Sequence, residues 1–429
     1  MFESLLNAFR APDIRRRILF VLGILVVYRI LAQVPLPGVD HTQLKAFFDK
    51  NTAFGIIDLF AGGGLSQLSI VGLAMNPYIN ASIIMQLMAG VIPSLQALSR
   101  EGEYGRQKLN QYTRYLTVPM AFLQAFGILS ALSHESTPIL LGDPFGLGNP
   151  ASWVQMVTLV AGAVLLMWLG ELITEKGIGN GISFIIFAGI VSRAPAGLGA
   201  LLSQPSPRDI VLFALLAIVA VAVIIYIQEG QRRIPIQYAS RVRGRRMYQG
   251  GQTFLPLRVN LAGVIPIIFA ISILQFPAQL AVYFSFSEVQ GIRDVATAIA
   301  NFLSSTTIQY AILYFLLTVG FTYFYTAFTF KPDETAEQLR KNGGFIPGIR
   351  PGRPTQDYLA RVVSRITIAG ALFLGTVAVA PVVAGVLDPS LRGLAIGGTG
   401  VLIVVSVVVE TMKQIEAQLM MRNYEGFIR

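Results

Sequence analysis

The chain contains no cysteine and only two histidines, His41 and His134, among its 429 residues. Disulfides, thiol catalysis and zinc ribbons are therefore excluded, and no metal or other cofactor is expected. Charged residues make up only 13% of the chain, against roughly 25% in soluble proteins, while 54% of the residues are hydrophobic. This balance predicts an all-α polytopic membrane protein whose apolar side chains meet lipid.

Ionisable side chains are also rare within the segments that we expect to cross the membrane. Spans two, three, seven and eight lack them, and other spans carry them near their ends, as with Arg29, Glu171 and Glu410. Ion-coupled pumps and transporters usually need carboxylates or bases inside the membrane as relays. The sequence also shows no paired carboxylates, no Ser-His-Asp set and no nucleotide-binding loop, so we do not expect an enzyme.

Ten apolar stretches are candidate membrane spans, each needing about 20 residues to cross the hydrocarbon. If the N-terminus lies inside, the segments on that side hold 26 of the 33 lysines and arginines. The positive-inside rule then places both termini in the cytoplasm. The predicted spans are residues 18–34, 76–93, 115–133, 152–171, 182–193, 209–228, 259–282, 309–330, 362–381 and 394–412.

Ten spans can form two halves of five, residues 18–193 and 209–412, which would face opposite ways in the membrane. Inverted repeats of this kind commonly place a substrate path between the halves. Prolines and glycines in residues 194–208 predict an outer hinge loop between them. An apolar stripe at Phe2, Leu5, Leu6 and Phe9 makes residues 1–17 a predicted amphipathic cytoplasmic segment, and residues 413–429 a cytoplasmic tail.

The run from Leu59 to Ser99 carries no charged side chain and is about twice as long as the ~20 residues of one span. Gly62, Gly63 and Gly64 interrupt it, and Asn76-Pro77 restarts it with a predicted N-cap and first helical turn. This pattern predicts a re-entrant half-helix near residues 56–70, hinged at the three glycines. Irregular backbone survives at membrane depth only inside protein or beside a water-filled cavity.

Two predicted cytoplasmic loops, residues 229–258 and 331–361, are longer than a connection requires. Alternating side chains in the first predict a two-stranded projection, and its tip carries Arg241, Arg243, Arg245 and Arg246. In the second, we predict a helix over residues 331–341 and then a rigid turn that presents Arg350. The positive-inside bias explains the sign of these charges, whereas docking of an acidic partner such as RNA or an acidic protein surface also explains their clustering.

Uncharged polar side chains and isoleucines recur on spans two, five and seven. The polar residues are Asn76, Asn80, Ser82 and Gln86 on span two and Gln275 on span seven. They can be ordinary interhelical hydrogen-bonding groups, or a helix contact that separates without exposing charge to lipid. The isoleucine pairs, Ile79 with Ile83, Ile186 with Ile190 and Ile265 with Ile268, can pack or face lipid, or they can form a hydrophobic constriction that gates a pore.

Four segments of the sequence resemble the bacterial SecY family, whose members are the channel subunit of the protein translocase. They are Asn76-Pro-Tyr-Ile-Asn-Ala-Ser-Ile-Ile-Met-Gln86, Thr174-Glu-Lys-Gly-Ile-Gly-Asn-Gly-Ile-Ser183, Leu255-Pro-Leu-Arg-Val-Asn-Leu-Ala-Gly-Val-Ile-Pro266 and the segment from Lys331 to Gly352. The resemblance extends from the N-terminus to the tenth span. Asn76, where the family is expected to have an apolar residue, and Met85, in place of a more usual isoleucine, depart from the pattern.

The resemblance implies a ten-helix clamshell with an hourglass pore and a plug formed by the half-helix. It implies a pore ring of six isoleucines, a lateral gate where spans two and three meet spans seven and eight, and a docking surface on the basic loops. The implied ring is Ile79, Ile83, Ile186, Ile190, Ile268 and Ile403; the gate includes Asn80, Gln86, Gln275 and Phe276; and docking uses Arg241, Arg243, Arg245, Arg246 and Arg350.

The implied function is a passive protein-conducting channel in the bacterial plasma (inner) membrane. It would move unfolded preproteins across the membrane and release apolar segments sideways into membrane lipid. The family implies small SecE-like and SecG-like membrane subunits, a SecA-like ATPase motor and the translating ribosome as partners. The rival hypothesis, a secondary transporter for a small solute, predicts a midplane cluster of charged or densely polar ligands, and a structural scaffold leaves the broken charge-free run unexplained.

Overall fold

The computed structural model describes residues 11–40, 42–44, 64–133, 139–140, 146, 148–203, 207–238, 241–243, 246–248, 251–285, 289–304, 307–387 and 392–428. Side chains at 100, 193–214, 216, 239–250, 381, 384–399 and 422–428 fall outside the description. The predicted segment 1–17 is therefore described only from Ala11 onward. There, a helix begins at Pro12 and carries Arg15, Arg16 and Arg17 on its first turns.

Helices dominate the described residues, and each of the ten predicted spans coincides with one helix. These ten are α1 (Pro12–Leu31), α2 (Asn76–Val91), α4 (Glu103–Ser133), α5 (Pro150–Lys176), α6 (Gly181–Ser203), α7 (Pro207–Glu229), α8 (Ile265–Phe284), α10 (Ile308–Thr329), α12 (Arg353–Leu387) and α13 (Arg392–Ile428). Three shorter helices join them: α3 (Pro93–Arg100), α9 (Gln290–Phe302) and α11 (Pro332–Lys341). The helix predicted over residues 331–341 is therefore α11.

Length and apolar composition alone qualify five helices of the described chain as membrane spans, and a sixth if α2 and α3 count as one broken span. The axis bends by 103° between α2 and α3. A helix of 20 residues is about 30 Å long, which matches the hydrocarbon thickness. The apolar faces left exposed on α1, α4, α7 and α10 fit this environment, as at Leu22, Leu123, Ile218 and Leu316.

Two predicted boundaries differ from the structure. The predicted hinge loop 194–208 is largely helical, because α6 continues to Ser203 and α7 begins at Pro207. Span five is therefore longer than predicted. Membrane helices tolerate the prolines and glycines of this stretch, since leaving the backbone unpaired in hydrocarbon costs more than keeping it helical. The N-cap of α2 is Met75, without a side-chain bond, so Asn76 is the first helical residue and not the predicted cap.

The helices pack as two groups that contact each other through a few helices. In the first half, α4 contacts α2 and α5, and α6 contacts α5; in the second, α8 contacts α10, α10 contacts α12, and α13 contacts α7 and α12. Contacts of α8 with α2 and α4, and of α13 with α6, join the halves. A buried apolar cluster that draws on both groups lies between them. The inverted relation of the halves stays a prediction.

The two basic loops form one body. Strand β1 (Gln231–Tyr238) pairs antiparallel with β4 (Gln252–Arg258), and β2 (Arg241–Arg243) pairs with β3 (Arg246–Tyr248) nearer the tip. The predicted two-stranded projection gains a third strand, β5 (Gly344–Phe345) from the second loop, through the pairs Gln237↔Phe345 and Tyr238↔Gly344. A buried cluster of Ile234, Leu257, Ile346, Leu359, Val362 and Val363 fixes this sheet against α12.

Candidate functional site

The six isoleucines of the implied ring are brought together by four helices. Ile79 and Ile83 lie on α2, Ile186 and Ile190 on α6, Ile268 on α8 and Ile403 on α13, and all six belong to the central apolar cluster. Their exposed fractions lie between 0% and 8%. Ile265, which the spacing had paired with Ile268, is only half-buried and packs at the edge of the cluster.

A void of about 10 Å³ lies at the centre of this cluster. It has room for about one water molecule, so the helices close around it almost completely. Three of the six predicted ring residues line it, together with Ile271 of α8, which sequence analysis had missed although it follows Ile268 at i, i+3. The full lining is Met75, Asn76, Ile79, Ile186, Ile268, Ile271, Ser272 and Gln275.

The lining is apolar on most sides and has a small polar sector without any ionisable group. Asn76 begins α2, and Ser272 and Gln275 lie one turn apart on α8. Asn76, a departure from the family pattern, thus lines the void. A void this small and mostly apolar disfavours water and ions even without a charged group.

The segment that leads into α2 is buried and held by backbone bonds. Residues 64–75 form turns, so the described part of the predicted half-helix at 56–70 is not helical, while residues 56–63 lie outside the described residues. Ser69 forms an antiparallel bridge with Pro35, which lies four residues beyond the end of α1. The N–H of Leu36 donates to the carbonyl of Leu68 at 2.9 Å, and the N–H of Ile70 donates to that of Val34 at 3.0 Å.

A glycine in α5 fits directly against this segment. A Cβ atom at Gly162 would lie 1.8 Å from the carbonyl oxygen of Ile70, which is far inside van der Waals contact. Of the three predicted hinge glycines, Gly62 and Gly63 lie outside the described residues, and the carbonyl of Gly64 accepts a 2.8 Å hydrogen bond from the N–H of Ser69. Gly64 is therefore tied to the fixed segment.

The predicted gate residues lie on α2 and α8, which contact each other, with α4 also against α8, along the seam between the halves. Asn80 is buried, whereas Gln86, Gln275 and Phe276 are half-buried. The side-chain amide of Gln86 donates to Ser82 Oγ at 3.1 Å. Within the described residues, Gln86 Oε1 and Gln275 Nε2 are buried without a hydrogen-bond partner, and each such atom costs roughly 1–3 kcal/mol.

An aromatic contact that sequence analysis missed closes the far end of this seam. Phe126 of α4 meets Tyr283 of α8 edge to face, with 5.1 Å between ring centroids. Near the basic body, a cavity of about 520 Å³ opens between α2, α4, α10 and α11 and is lined by Ser82, Gln86, Arg106, Asn110, Lys331 and Glu334, among others. The seam is thus packed at the centre and open at the end near the basic loops.

The predicted docking arginines belong to the two basic loops, and Arg241, Arg243 and Arg246 lie on the two-stranded sheet of β2 and β3. The backbone of Arg241 pairs with that of Tyr248, and the backbone of Arg243 pairs with that of Arg246. Arg245 and the side chains of Arg241, Arg243 and Arg246 lie outside the described residues. Arg350 is exposed, and its carbonyl accepts a 2.8 Å hydrogen bond from Thr355 Oγ1. Gly348 and Gly352 flank it with φ of 80° and 104°, a left-handed backbone that favours glycine.

Comparison with known proteins places these features in a family. The family model described as SecY matches residues 69–412. The protein translocase subunits SecY of Streptomyces coelicolor and Corynebacterium glutamicum are each 44% identical to this chain, over all of both chains. SecY of Mycobacterium tuberculosis is 43% identical, again over the full length of both.

Solved structures share the fold at lower identity. A SecY channel studied for the role of its plug domain has a TM-score of 0.66 at 20% identity, covering 93% of this chain and 91% of that chain. A protein-conducting channel gives 0.64 at 18% identity with the same coverage. Sec61 in the canine ribosome-channel complex gives 0.61 at 17% identity and also covers 93% and 91%.

Proposed function

Because this chain belongs to the SecY family, it is a protein-conducting channel subunit and not an enzyme, and we propose that unfolded polypeptide passes between α2, α6, α8 and α13. The observation that carries this path is that six isoleucines from both halves share one buried apolar cluster, and three of them line a void that holds about one water. An unfolded chain presents every kind of side chain. A narrow apolar ring adheres only weakly to all of them, so it lets such a chain pass. The ring can also close around the chain.

The channel supplies no energy, so direction must come from a partner. Proteoliposomes that hold this chain with a motor ATPase should import an unfolded preprotein only when ATP is present. A secondary transporter would instead respond to an ion gradient, and the lining of the central void contains no ionisable side chain for such coupling. Polypeptide transport driven by an ion gradient without the motor would favour the transporter.

We further propose that the seam between α2, α4 and α8 is the lateral gate. Signal sequences and membrane spans are apolar, so a seam that opens to lipid lets them partition by hydrophobicity. The cavity near the basic loops offers an entrance to the seam. The unpaired amide atoms of Gln86 and Gln275 destabilise the closed seam and leave polar groups ready to pair with a polypeptide backbone.

Gln275→Leu should stabilise the closed gate, because it removes a buried amide nitrogen that has no partner within the described residues. Signals of low hydrophobicity should then be exported less, while strong signals are affected little. Export of a series of signals with graded leucine content measures this. Gln275→Asn, which keeps an uncharged amide, is the matched control, and an unchanged threshold in the leucine variant would contradict the assignment.

We propose that the plug is the part of the predicted segment 56–70 that precedes Gly64, and that it moves about a hinge of Gly62, Gly63 and Gly64 whose last residue is held by the base. The backbone bridge of Ser69 to Pro35 and the fit of Ile70 against Gly162 support a fixed base at residues 64–75. Only the chain before this base would then leave the pore. The three glycines permit the required backbone rotation.

Gly162→Ala should loosen the base of the plug, because its Cβ would overlap the carbonyl oxygen of Ile70 and force the segment away. We expect a higher resting ion conductance in planar bilayers and a lower midpoint of thermal unfolding. Gly127→Ala is the control, since a Cβ at Gly127 meets no atom within 4 Å. Equal conductance in both variants would argue against a fixed base.

The basic body formed by the two loops is the proposed docking surface for a SecA-like ATPase motor and for the translating ribosome. Among the fold neighbours, Sec61 was solved in a ribosome-channel complex and Ssh1 bound to the yeast 80S ribosome. The β1–β5 pairing supports one rigid platform from both loops. We also propose SecE-like and SecG-like small membrane subunits, and a place in the bacterial plasma membrane with both termini in the cytoplasm, as the bias of lysine and arginine favours.

A further inference from the structure

Helix α9 lies between two spans and does not cross the membrane. It covers Gln290–Phe302, between α8, which ends at Phe284, and α10, which begins at Ile308. Its 13 residues extend about 20 Å, too short for a hydrocarbon core of about 30 Å. The other ends of α8 and α10 adjoin β4 and α11 of the basic body, so α9 lies at the opposite membrane surface.

The helix is amphipathic, and its apolar side is open. Ile292, Val295, Ile299 and Phe302 follow one another at i, i+3, i+7 and i+10 and are 41–61% exposed. Such a stripe is one face of a helix. The other face carries Arg293, Asp294, Thr297 and Asn301, all exposed to solvent in the structure.

The buried contact of α9 fixes how this stripe is oriented. Ala296 is 4% exposed and is the buried residue of the helix, which packs against α8. At 100° per residue, Ala296 lies roughly 40° from Ile292 and roughly 60° from Ile299 around the axis. The open stripe therefore borders the contact with α8 on one side, and the polar face begins on the other side with Arg293, roughly 60° from Ala296.

The apolar stripe continues the lipid-facing surface of the adjoining spans. Phe284 at the end of α8 is 45% exposed, and Ile308 and Ile312 on the first turns of α10 are 50% and 56% exposed. These residues lie on helices that cross the bilayer, so lipid covers them. Short connections on both sides keep α9 beside these helix ends.

We propose that α9 lies in the lipid interface of the leaflet opposite the basic loops, with Ile292, Val295, Ile299 and Phe302 inserted at the boundary of headgroups and acyl chains. An amphipathic helix with one apolar and one polar face binds a membrane surface in this way. The proposal rests on the membrane-channel function only in requiring that α8 and α10 cross a bilayer. Since α9 follows the gate helix α8 and packs on it, the insertion anchors one end of the gate in lipid.

Single-cysteine labelling tests this inference, because the chain has no native cysteine. The substitutions Ile299→Cys and Thr297→Cys lie on opposite faces of α9. Each variant is labelled at its cysteine with an environment-sensitive fluorophore, and the labelled channel complex is placed in proteoliposomes. The label at position 299 should emit at shorter wavelength and lose most of its intensity in brominated lipid. The label at position 297 should instead be quenched by aqueous iodide.

Val295→Cys and Asn301→Cys form a second pair in case one variant fails to assemble, with the same expected contrast. Equal quenching by iodide on both faces would overturn the proposal, because the stripe would then face water. Protection of position 299 from both quenchers would also overturn it, since a protein would cover the stripe. Neither readout depends on transport, so the channel function can stand when this inference fails.

Discussion

Ile268→Asn should open the resting channel to ions and relax its choice of signal sequences. Ile268 lines the central void and is 8% exposed, so the variant replaces an apolar wall with an amide. The lost apolar burial and the unsatisfied amide each cost the closed state on the order of 1–3 kcal/mol. The amide also makes water more stable within the constriction, which weakens an apolar seal.

Planar-bilayer conductance of the resting complex and export of proteins with weakened signals measure the two effects. Ile83→Asn on α2 should act in the same direction, because Ile83 is 1% exposed in the same cluster. Ile268→Leu keeps the apolar volume and is the matched control, with little expected change. Unchanged leak and unchanged signal selectivity in both asparagine variants would count against the ring.

Arg350→Glu should impair motor-driven export while the channel still inserts into the membrane. Arg350 is exposed on a turn whose backbone is held by Thr355 Oγ1 and flanked by two left-handed glycines. An exposed substitution usually changes stability by less than about 0.5 kcal/mol. Placing like charges against each other in an interface costs several kcal/mol, which is at least tens-fold in affinity.

Binding of the purified motor ATPase to channel proteoliposomes, and ATP-driven import, test this expectation. Arg293→Glu on α9 is the matched control, because it reverses an exposed arginine at the opposite membrane surface. Normal motor binding and import by the Arg350 variant would remove Arg350 from the docking surface. Poor insertion of that variant alone would indicate a structural role instead.

Local periodicity predicted the helices better than it predicted which face they bury. The spacing of Ile79 with Ile83 fits packing, lipid exposure and a constriction equally well, because one helix does not reveal its neighbours. The family resemblance supplied the ring residues, and the structure brings them together. Ile265 and Ile271 both lie three residues from Ile268, and only the arrangement of α2, α6 and α8 around the void selects Ile271.

Features that depend on distant segments could not be predicted from local sequence. The pairing of β5 with β1 joins chain positions about a hundred residues apart through a two-residue strand, too short for an alternating pattern. The fit of Ile70 against Gly162 is equally non-local. By contrast, the apolar stripe of α9 follows a regular helical spacing, so the signal for this helix was present in the sequence although no helix was predicted there.

Proximity of a translocating chain to the six isoleucines is the most direct test of the account. A secretory protein arrested during export carries one cysteine in its mature part. The channel carries one cysteine at a ring position, through Ile186→Cys or Ile403→Cys. In the control it carries Leu19→Cys on the exposed face of α1. Oxidation should yield a disulfide between substrate and channel at positions 186 and 403 and none at position 19. Absence of crosslinks at both ring positions, with the substrate arrested in the membrane, would contradict the proposed path.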